Sequence, residues 1–240
     1  SNAGVTLTFT SSEATSNFAA EDITVSGGTL GSLGTTSSTV YTATFTPSAE
    51  GSMTIDVAGD GFTDAVGNGN TAATQFAYTH DTTAPAMVIT TTTAGVTSGS
   101  TTNDGTVAYV FTAGQATTNF VKSDITVSGG TLGTLSGSGT TYTATFTPSG
   151  QGATSVAVAV GTFTDAAGNS NTVSNTFAWT YDGTAPGMVI TTTTAGVTSG
   201  STTNDATIAY VFTAGQATTN FVKDDITVSG GTLGALTEVT

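Results

Sequence analysis

Apolar and polar residues alternate along most of this chain, so that every second side chain is apolar. The alternation is clearest in the segments Tyr142–Thr147, Val156–Val160 and Phe177–Tyr181. A period of two is typical of β-strands with one buried face, and no stretch shows the spacing of an amphipathic helix. The pattern predicts seven strands in the middle of the chain, near residues 86–94, 106–113, 124–129, 131–136, 141–148, 153–161 and 173–181.

The chain also repeats itself. The segment from Met87 to Leu132 returns almost residue for residue from Met188 to Leu233, 101 residues later. A more diverged copy comes before both, because residues 22–30, 41–47 and 62–70 match residues 124–132, 142–148 and 163–171. The predicted domains are residues 1–80 (a repeat that lacks its first strand), 81–181 (a complete repeat) and 182–240 (the N-terminal half of a third repeat). Ser1, Asn2 and Ala3 are interpreted as the remnant of a removed tag.

Seven short strands in about 100 residues indicate an all-β fold made of tandem immunoglobulin-like β-sandwich repeats. The chain contains no Cys, so each core has to hold without the disulfide of antibody domains. The junctions between repeats are predicted at residues 80–85 and 181–186, which end in Pro85 and Pro186. A proline there suits a short, stiff linker because it cannot donate a hydrogen bond to a sheet.

The net charge of the chain narrows the classes of molecule that it can bind. The chain has two Lys, no Arg and sixteen acidic residues, for a net charge of −14. Phosphate binding requires Lys and Arg in number, so no nucleic-acid partner is expected. No run of apolar residues reaches the roughly 18 needed for a membrane helix, so no membrane insertion is expected either. A surface of this sign attracts cations instead.

Calcium is the cofactor that the sequence predicts. It takes six to eight oxygen ligands from carboxylates, amides and backbone carbonyls. Tracing a seven-stranded sandwich places Asp81, residues 119–124 and residues 165–171 at one end of the middle repeat, and Glu50 of the preceding repeat near them. The candidate ligands, taken over all repeats, are Asp81, Asp165, Asn169, Asn171, Asp64, Asn68, Asn70 and Asp182. The alternative is that Asp and Asn before Gly only form turns, in which their side chains bond to their own backbone.

Four motifs resemble the Ig-like repeats of giant bacterial adhesins, the biofilm-associated and RTX-type surface proteins. They are the D-x-T-A-P junction at residues 81–85, F-x-x-x-DITVSGGTL at residues 120–132, YTATFTP at residues 142–148 and F-T-D-A-x-G-N-x-N at residues 163–171. The resemblance implies an extracellular stalk on the bacterial cell surface, which serves adhesion or biofilm formation and is stiffened by calcium. Its partners within the chain are the neighbouring repeats, and its adhesive target is unknown.

No catalytic function is expected. His80 is the only histidine, and no second group to orient it as a base is evident. Gly-rich segments such as residues 128–131 follow strands but open no helix, which argues against a phosphate loop. Two alternatives to a structural stalk remain, namely a ligand- or glycan-binding Ig-like module and an accessory stalk of a secreted hydrolase.

The two ends of the sequence predict self-association. Gly4 aligns with Thr106, so the first repeat lacks an opening strand, and Thr240 aligns with Gly139, so the last repeat lacks its closing strands. An extended segment can complete a sheet by adding to its open edge. We therefore expect head-to-tail association, in which the tail of one molecule supplies the strand that another molecule lacks.

Overall fold

The computed structural model describes residues 4–238, and the predicted tag remnant lies outside them. The first repeat contains β1 (Val5–Thr10), β2 (Ile23–Ser26), β3 (Gly28–Leu30), β4 (Gly34–Ser37), β5 (Val40–Pro47), β6 (Gly51–Val57) and β7 (Phe76–His80). The second contains β8 (Met87–Thr91), β9 (Thr101–Thr102), β10 (Val107–Thr117), β11 (Ile125–Ser128), β12 (Gly130–Leu132), β13 (Ser136–Pro148), β14 (Gly152–Val158) and β15 (Phe177–Tyr181). The third segment contains β16 (Met188–Thr192) and β17 (Tyr210–Ala214).

Helical structure in residues 4–238 consists of three-residue 3-10 turns at Ala20–Asp22, Lys122–Asp124 and Lys223–Asp225. None of the described helices has the length or hydrophobicity of a membrane span. The prediction of an all-β fold of tandem Ig-like repeats is confirmed.

The second repeat is a sandwich of two four-stranded sheets. One sheet has the order β12-β13-β10-β8 and the other β11-β14-β15-β9. All neighbouring strands are antiparallel except β15 and β9, which run parallel. The alternation of the sequence sets the register, since Tyr109 faces Ala144 and Phe111 faces Tyr142 across the β10–β13 pair.

Several details differ from the predicted strands. Strand β10 runs to Thr117 instead of ending at 113, and β12 ends at Leu132 instead of 136. There are eight strands rather than seven, because the two residues of β9 join the sheet of β15. Strand β13 begins at residue 136 instead of 141. The last strand begins at Phe177 and not at residue 173, because Ser174 and Asn175 turn their side chains onto main-chain groups. The Ser174 hydroxyl accepts from Val158 N at 2.8 Å, and Asn175 Oδ1 accepts from Ile89 N at 2.8 Å.

The core of the second repeat is aromatic. Tyr109, Phe111 and Phe146 are fully buried, and Trp179 is 2% exposed. Trp179 Nε1 donates to the hydroxyl oxygen of Tyr109 at 3.0 Å, which satisfies both polar groups in an apolar interior. Burial raises the pKa of Tyr109 to about 12, against the smaller opposite effect of that hydrogen bond.

The first repeat keeps the same two layers with a gap at one edge. One sheet has the order β1-β5-β3, with β4 also pairing with β5, and the other has the order β2-β6-β7. Among residues 4–238, no strand pairs with the outer edge of β1, where β8 pairs with β10 in the second repeat. Consequently Phe76 is 53% exposed, whereas its counterpart Phe177 is 6% exposed.

The chain divides into two compact units, Ser1–Tyr181 and Asp182–Thr240. In the second unit β16 and β17 form an antiparallel pair in which Ile190 faces Phe212. Its strands leave apolar side chains exposed, with Ile190 at 60% and Tyr210 at 51%.

Candidate functional site

The loop of residues 165–171 is organised by the carboxylate of Asp165. Its Oδ1 accepts hydrogen bonds from the backbone N of Ala167 and of Asn169, at 2.9 and 2.8 Å, and its Oδ2 accepts from Asn169 Nδ2 at 2.9 Å. Gly168 has φ 91°, a conformation that favours glycine and lets the loop close. Burial raises the pKa of Asp165, but the hydrogen bonds together outweigh that effect and hold the pKa below its ordinary value.

Asn171 closes the other end of this loop. It is 1% exposed, and its Oδ1 accepts from the backbone N of Thr162 and of Phe163 at 2.8 and 2.9 Å. Its Nδ2 donates to the carbonyl oxygens of Ala159 and Thr172, both at 2.8 Å. The whole amide is therefore used on the main chain of residues 159–163 and 172, which flank the loop, and in the described structure it holds the two ends of the loop together.

The first repeat builds the same loop from Asp64, Asn68 and Asn70. Asp64 Oδ1 accepts from Asn68 N at 2.8 Å, and Asp64 Oδ2 accepts from Asn68 Nδ2 at 2.7 Å. These hydrogen bonds hold the pKa of Asp64 below its ordinary value. Asn70 Oδ1 accepts from Phe62 N at 3.0 Å. Because this copy is more exposed than the loop at residues 165–171, the loop geometry follows from the motif and does not require burial.

The junction Asp81–Pro85 lies against the loop of the second repeat. Asn169 Nδ2 donates to the backbone oxygen of Asp81 at 3.1 Å, and Thr172 N donates to the backbone oxygen of Pro85 at 3.0 Å. The Asp81 carboxylate accepts from Thr83 N at 2.9 Å, which forms an Asx turn at the start of the linker. The structure thus brings Asp81 and the 165–171 loop together, as the strand tracing predicts.

Glu50 of the first repeat reaches the same junction. Its Oε1 accepts from Thr82 N at 2.9 Å and from the hydroxyls of Thr82 and Thr83 at 2.6 and 2.8 Å. These hydrogen bonds, with a smaller contribution from the nearby His80, hold the pKa of Glu50 below its ordinary value. Side chains from the first repeat, the linker and the second repeat therefore form one continuous hydrogen-bond network.

Gln115 is part of this network, although the strand pattern of its segment does not single it out. Its Nε2 lies 3.3 Å from Asp81 Oδ2, and its buried Oε1 has no hydrogen-bond partner. In the second unit Gln216 Nε2 lies 3.4 Å from Asp182 Oδ2, and Asp182 Oδ1 accepts from Thr184 N at 3.0 Å. The signal that could have revealed the pair is the recurrence of AGQAT at residues 113–117 and 214–218, at the same spacing from each junction Asp.

The donors around Asp81 fit an oxygen-ligated cation in chemistry, though only two of them are carboxylates. Among residues 4–238 there is no group of three or more His, Cys, Asp or Glu side chains able to hold a metal. Oxygens of Asp81, Asp165, Asn169 and Gln115 would make up the set. The amides of Asn169 and Gln115 both present nitrogen to Asp81 and would have to reverse to offer oxygen. Calcium accepts such mixed sets and completes them with water. Asn171 does not contribute here, because its oxygen accepts two backbone hydrogen bonds.

Known proteins and families resemble this chain to different degrees. One solved structure with some likeness is InvD of Yersinia pseudotuberculosis, at 19% identity and a TM-score of 0.39, over 79% of this chain and 57% of that one. The chain thus spans little more than half of the InvD chain, and likeness at this level says nothing about function. No curated protein matches the chain. The family model of the bacterial Ig-like domain matches twice, at residues 1–80 and 81–181. The chain therefore belongs to the bacterial Ig-like domain family.

Proposed function

We propose that this chain is a series of spacer repeats in the extracellular stalk of a bacterial surface adhesin, where it serves adhesion or biofilm formation. Bacterial Ig-like domains are generally non-catalytic structural domains. The observation that carries the proposal is the junction network, in which Glu50 and Asn169, from successive repeats, both bond to residues 81–83. A linker held from both sides sets the spacing of two repeats, which is what a stalk requires.

Near-identity of successive repeats supports a spacer over a module with a unique binding site. Residues 87–132 and 188–233 differ at few positions, and repeated units of this kind set length by their number. The strand positions that face outward are mostly Thr, which gives a soluble sheet surface. A stalk needs such a surface and no specific pocket.

A substitution that weakens the junction network tests the proposal directly. Replacement of Glu50 by Ala removes the acceptor for Thr82 and Thr83, and we expect the two repeats to reorient more freely. Residual dipolar couplings of the two repeats in the full chain measure this, since separate alignment tensors indicate independent motion. Glu21→Ala is the matched control, because it removes an exposed acid of the same repeat away from the junction. If the alignment tensors of the two repeats differ no more in Glu50→Ala than in the wild type, a stiffening role for the network is refuted.

We further propose that calcium binds at the junction through Asp81, Asp165, Asn169 and Gln115. The cation would neutralise two carboxylates and take the oxygen of Gln115 after the amide, whose Nε2 now faces Asp81, has reversed. Thermal unfolding in EDTA and in a calcium series up to millimolar concentration tests this, because a ligand that binds only the folded state raises the melting temperature. We expect a saturable rise that magnesium does not reproduce and that Asp81→Asn abolishes. Glu21→Gln, with the same change of charge, should keep the rise. A melting temperature that does not respond to calcium would refute this part alone and leave the hydrogen-bonded junction in place.

A further inference from the structure

An open apolar groove runs along the outer edge of β1. It has a volume of about 760 Å³ and lies between β1 and the segment that leads to β7. Leu7, Phe9, Val57, Phe62 and Phe76 line it together with Ile55. The groove belongs to the first repeat alone and takes no part in the junction network. An apolar channel beside an unpaired strand edge is suited to an added β-strand.

The second repeat shows what fills this position. Strand β8 pairs there with β10, with Ile89 opposite Phe111 and Met87 opposite Ala113. Met87 and Ile89 are each 2% exposed, while Val88 between them is 51% exposed. A strand that fits the groove thus has apolar side chains at alternate positions, and every second side chain faces solvent.

The same five residues, Met-Val-Ile-Thr-Thr, recur as β16. There they are poorly buried, with Met188 39% exposed and Ile190 60% exposed. We infer that β16 of a second copy of this chain occupies the groove beside β1. By the register of the second repeat, Ile190 would lie opposite Phe9, and Thr192 opposite Leu7.

This arrangement is a strand exchange. β16 would give up its five-residue pairing with β17 and form one of equal length with β1, so backbone hydrogen bonds are conserved. The gain is burial of Met188, Ile190 and the exposed ring of Phe76, since removing apolar surface from water is stabilising. Two features oppose it. Thr74 stands where Asn175 bonds to both backbone groups of Ile89, and each chain carries a charge of −14. We therefore expect association to strengthen with salt.

The contact is head-to-tail, because the groove and the donor strand lie at different places in the sequence. Such heterologous contacts do not close by themselves and generate open chains of molecules. Sedimentation velocity of the full chain should show a mass that rises above the 23.5 kDa monomer with protein concentration.

Two variants of the donor strand make the test specific. Ile190→Asp places a charge on the buried face and should abolish association, while Val189→Asp adds the same charge on the solvent face and should leave it unchanged. Wild type that stays monomeric at every concentration and salt, or variants that behave alike, would overturn the inference.

A disulfide trap tests the register, since the chain has no Cys of its own. Thr8 and Thr191 correspond to the facing pair Val110 and Thr90, so the double variant Thr8→Cys, Thr191→Cys should oxidise to covalent dimers and higher species. Thr8→Cys with Thr192→Cys is the control, because neighbouring residues of a strand point to opposite faces. Covalent species for the first pair and few for the second support the inference. A disulfide formed only within one chain, or equal yields from both pairs, would overturn it.

Discussion

Asn171 offers a direct measure of what the recurring geometry of the loop contributes to stability. Replacement by Ala removes five side-chain hydrogen bonds, one of them a long one from the Thr162 hydroxyl. It leaves two backbone N–H groups, those of Thr162 and Phe163, without an acceptor. The Phe163 residue is 1% exposed, so water has poor access to its N–H. The two carbonyl partners, of Ala159 and Thr172, belong to exposed residues and can be hydrated. With about 1–2 kcal/mol for each buried donor, the variant should lose about 2–4 kcal/mol.

Urea unfolding, monitored by tryptophan fluorescence, measures this loss of stability in the second repeat. Trp179 is the only tryptophan and is buried in the second repeat. With a slope of about 1.5 kcal/mol per M, the midpoint should fall by roughly 1.3–2.7 M. Ser170→Ala, an exposed position in the same loop, should shift the midpoint little, and Asn70→Ala in the first repeat should leave the Trp179 transition unchanged. A shift for Asn171→Ala as small as that for Ser170→Ala would refute the reasoning, because it would mean that water replaces the amide.

Three further predictions concern the second repeat, and the same fluorescence assay measures each. Asp165→Asn tests the lowered pKa of that carboxyl. Because the pKa in the folded state lies below the ordinary 3.8, the carboxylate stabilises the fold fully above about pH 5. The excess stability of the wild type over the variant should therefore shrink as the pH falls through the folded-state pKa. An advantage independent of pH from 7 to 3 would contradict this. Gly130→Ala should destabilise by about 2 kcal/mol or more, because a Cβ there overlaps a buried core ring and a backbone oxygen, whereas Gly150→Ala meets open space and should be nearly neutral; equal effects would exclude the clash. Tyr109→Phe leaves the buried Trp179 N–H without its acceptor and should cost about 1–2 kcal/mol, and an unchanged midpoint would show that the N–H finds another partner.

The alternation of apolar residues was sufficient to predict the sandwich, because each strand has to bury one face. It could not predict β9, since two threonines that pair in parallel with β15 carry no periodic signal. It also extended the last strand too far towards the N-terminus. Residues 174 and 175 have the composition of a strand surface, but their side chains bond to the main chain of Val158 and Ile89 instead.

The candidate site was predicted in part. Asp81, Asp165 and Asn169 meet because the strand order brings the junction and the loop to one end of the sandwich. Asn171 was predicted as a ligand from its place in the same motif, but in the structure its amide bonds to the main chain on either side of the loop. Gln115 was missed, because a polar residue on an alternating strand looks like any other solvent-facing position. Only the fold shows that it points at the carboxylate of Asp81.

The parallel pairing of β9 with β15 has a mechanical consequence. The chain enters the second repeat just before β8 and leaves it after β15. Gly99 N bonds to Ala178 O at 2.7 Å and Thr180 N to Ser100 O at 2.8 Å, so the segment that follows β8 is attached alongside the exit strand. When the two ends are pulled apart and β8 has come away from β10, these two segments are drawn past each other in opposite directions, and their hydrogen bonds are loaded in shear and share the load. A short pair of strands that adds little to equilibrium stability can therefore set the force at which the domain yields.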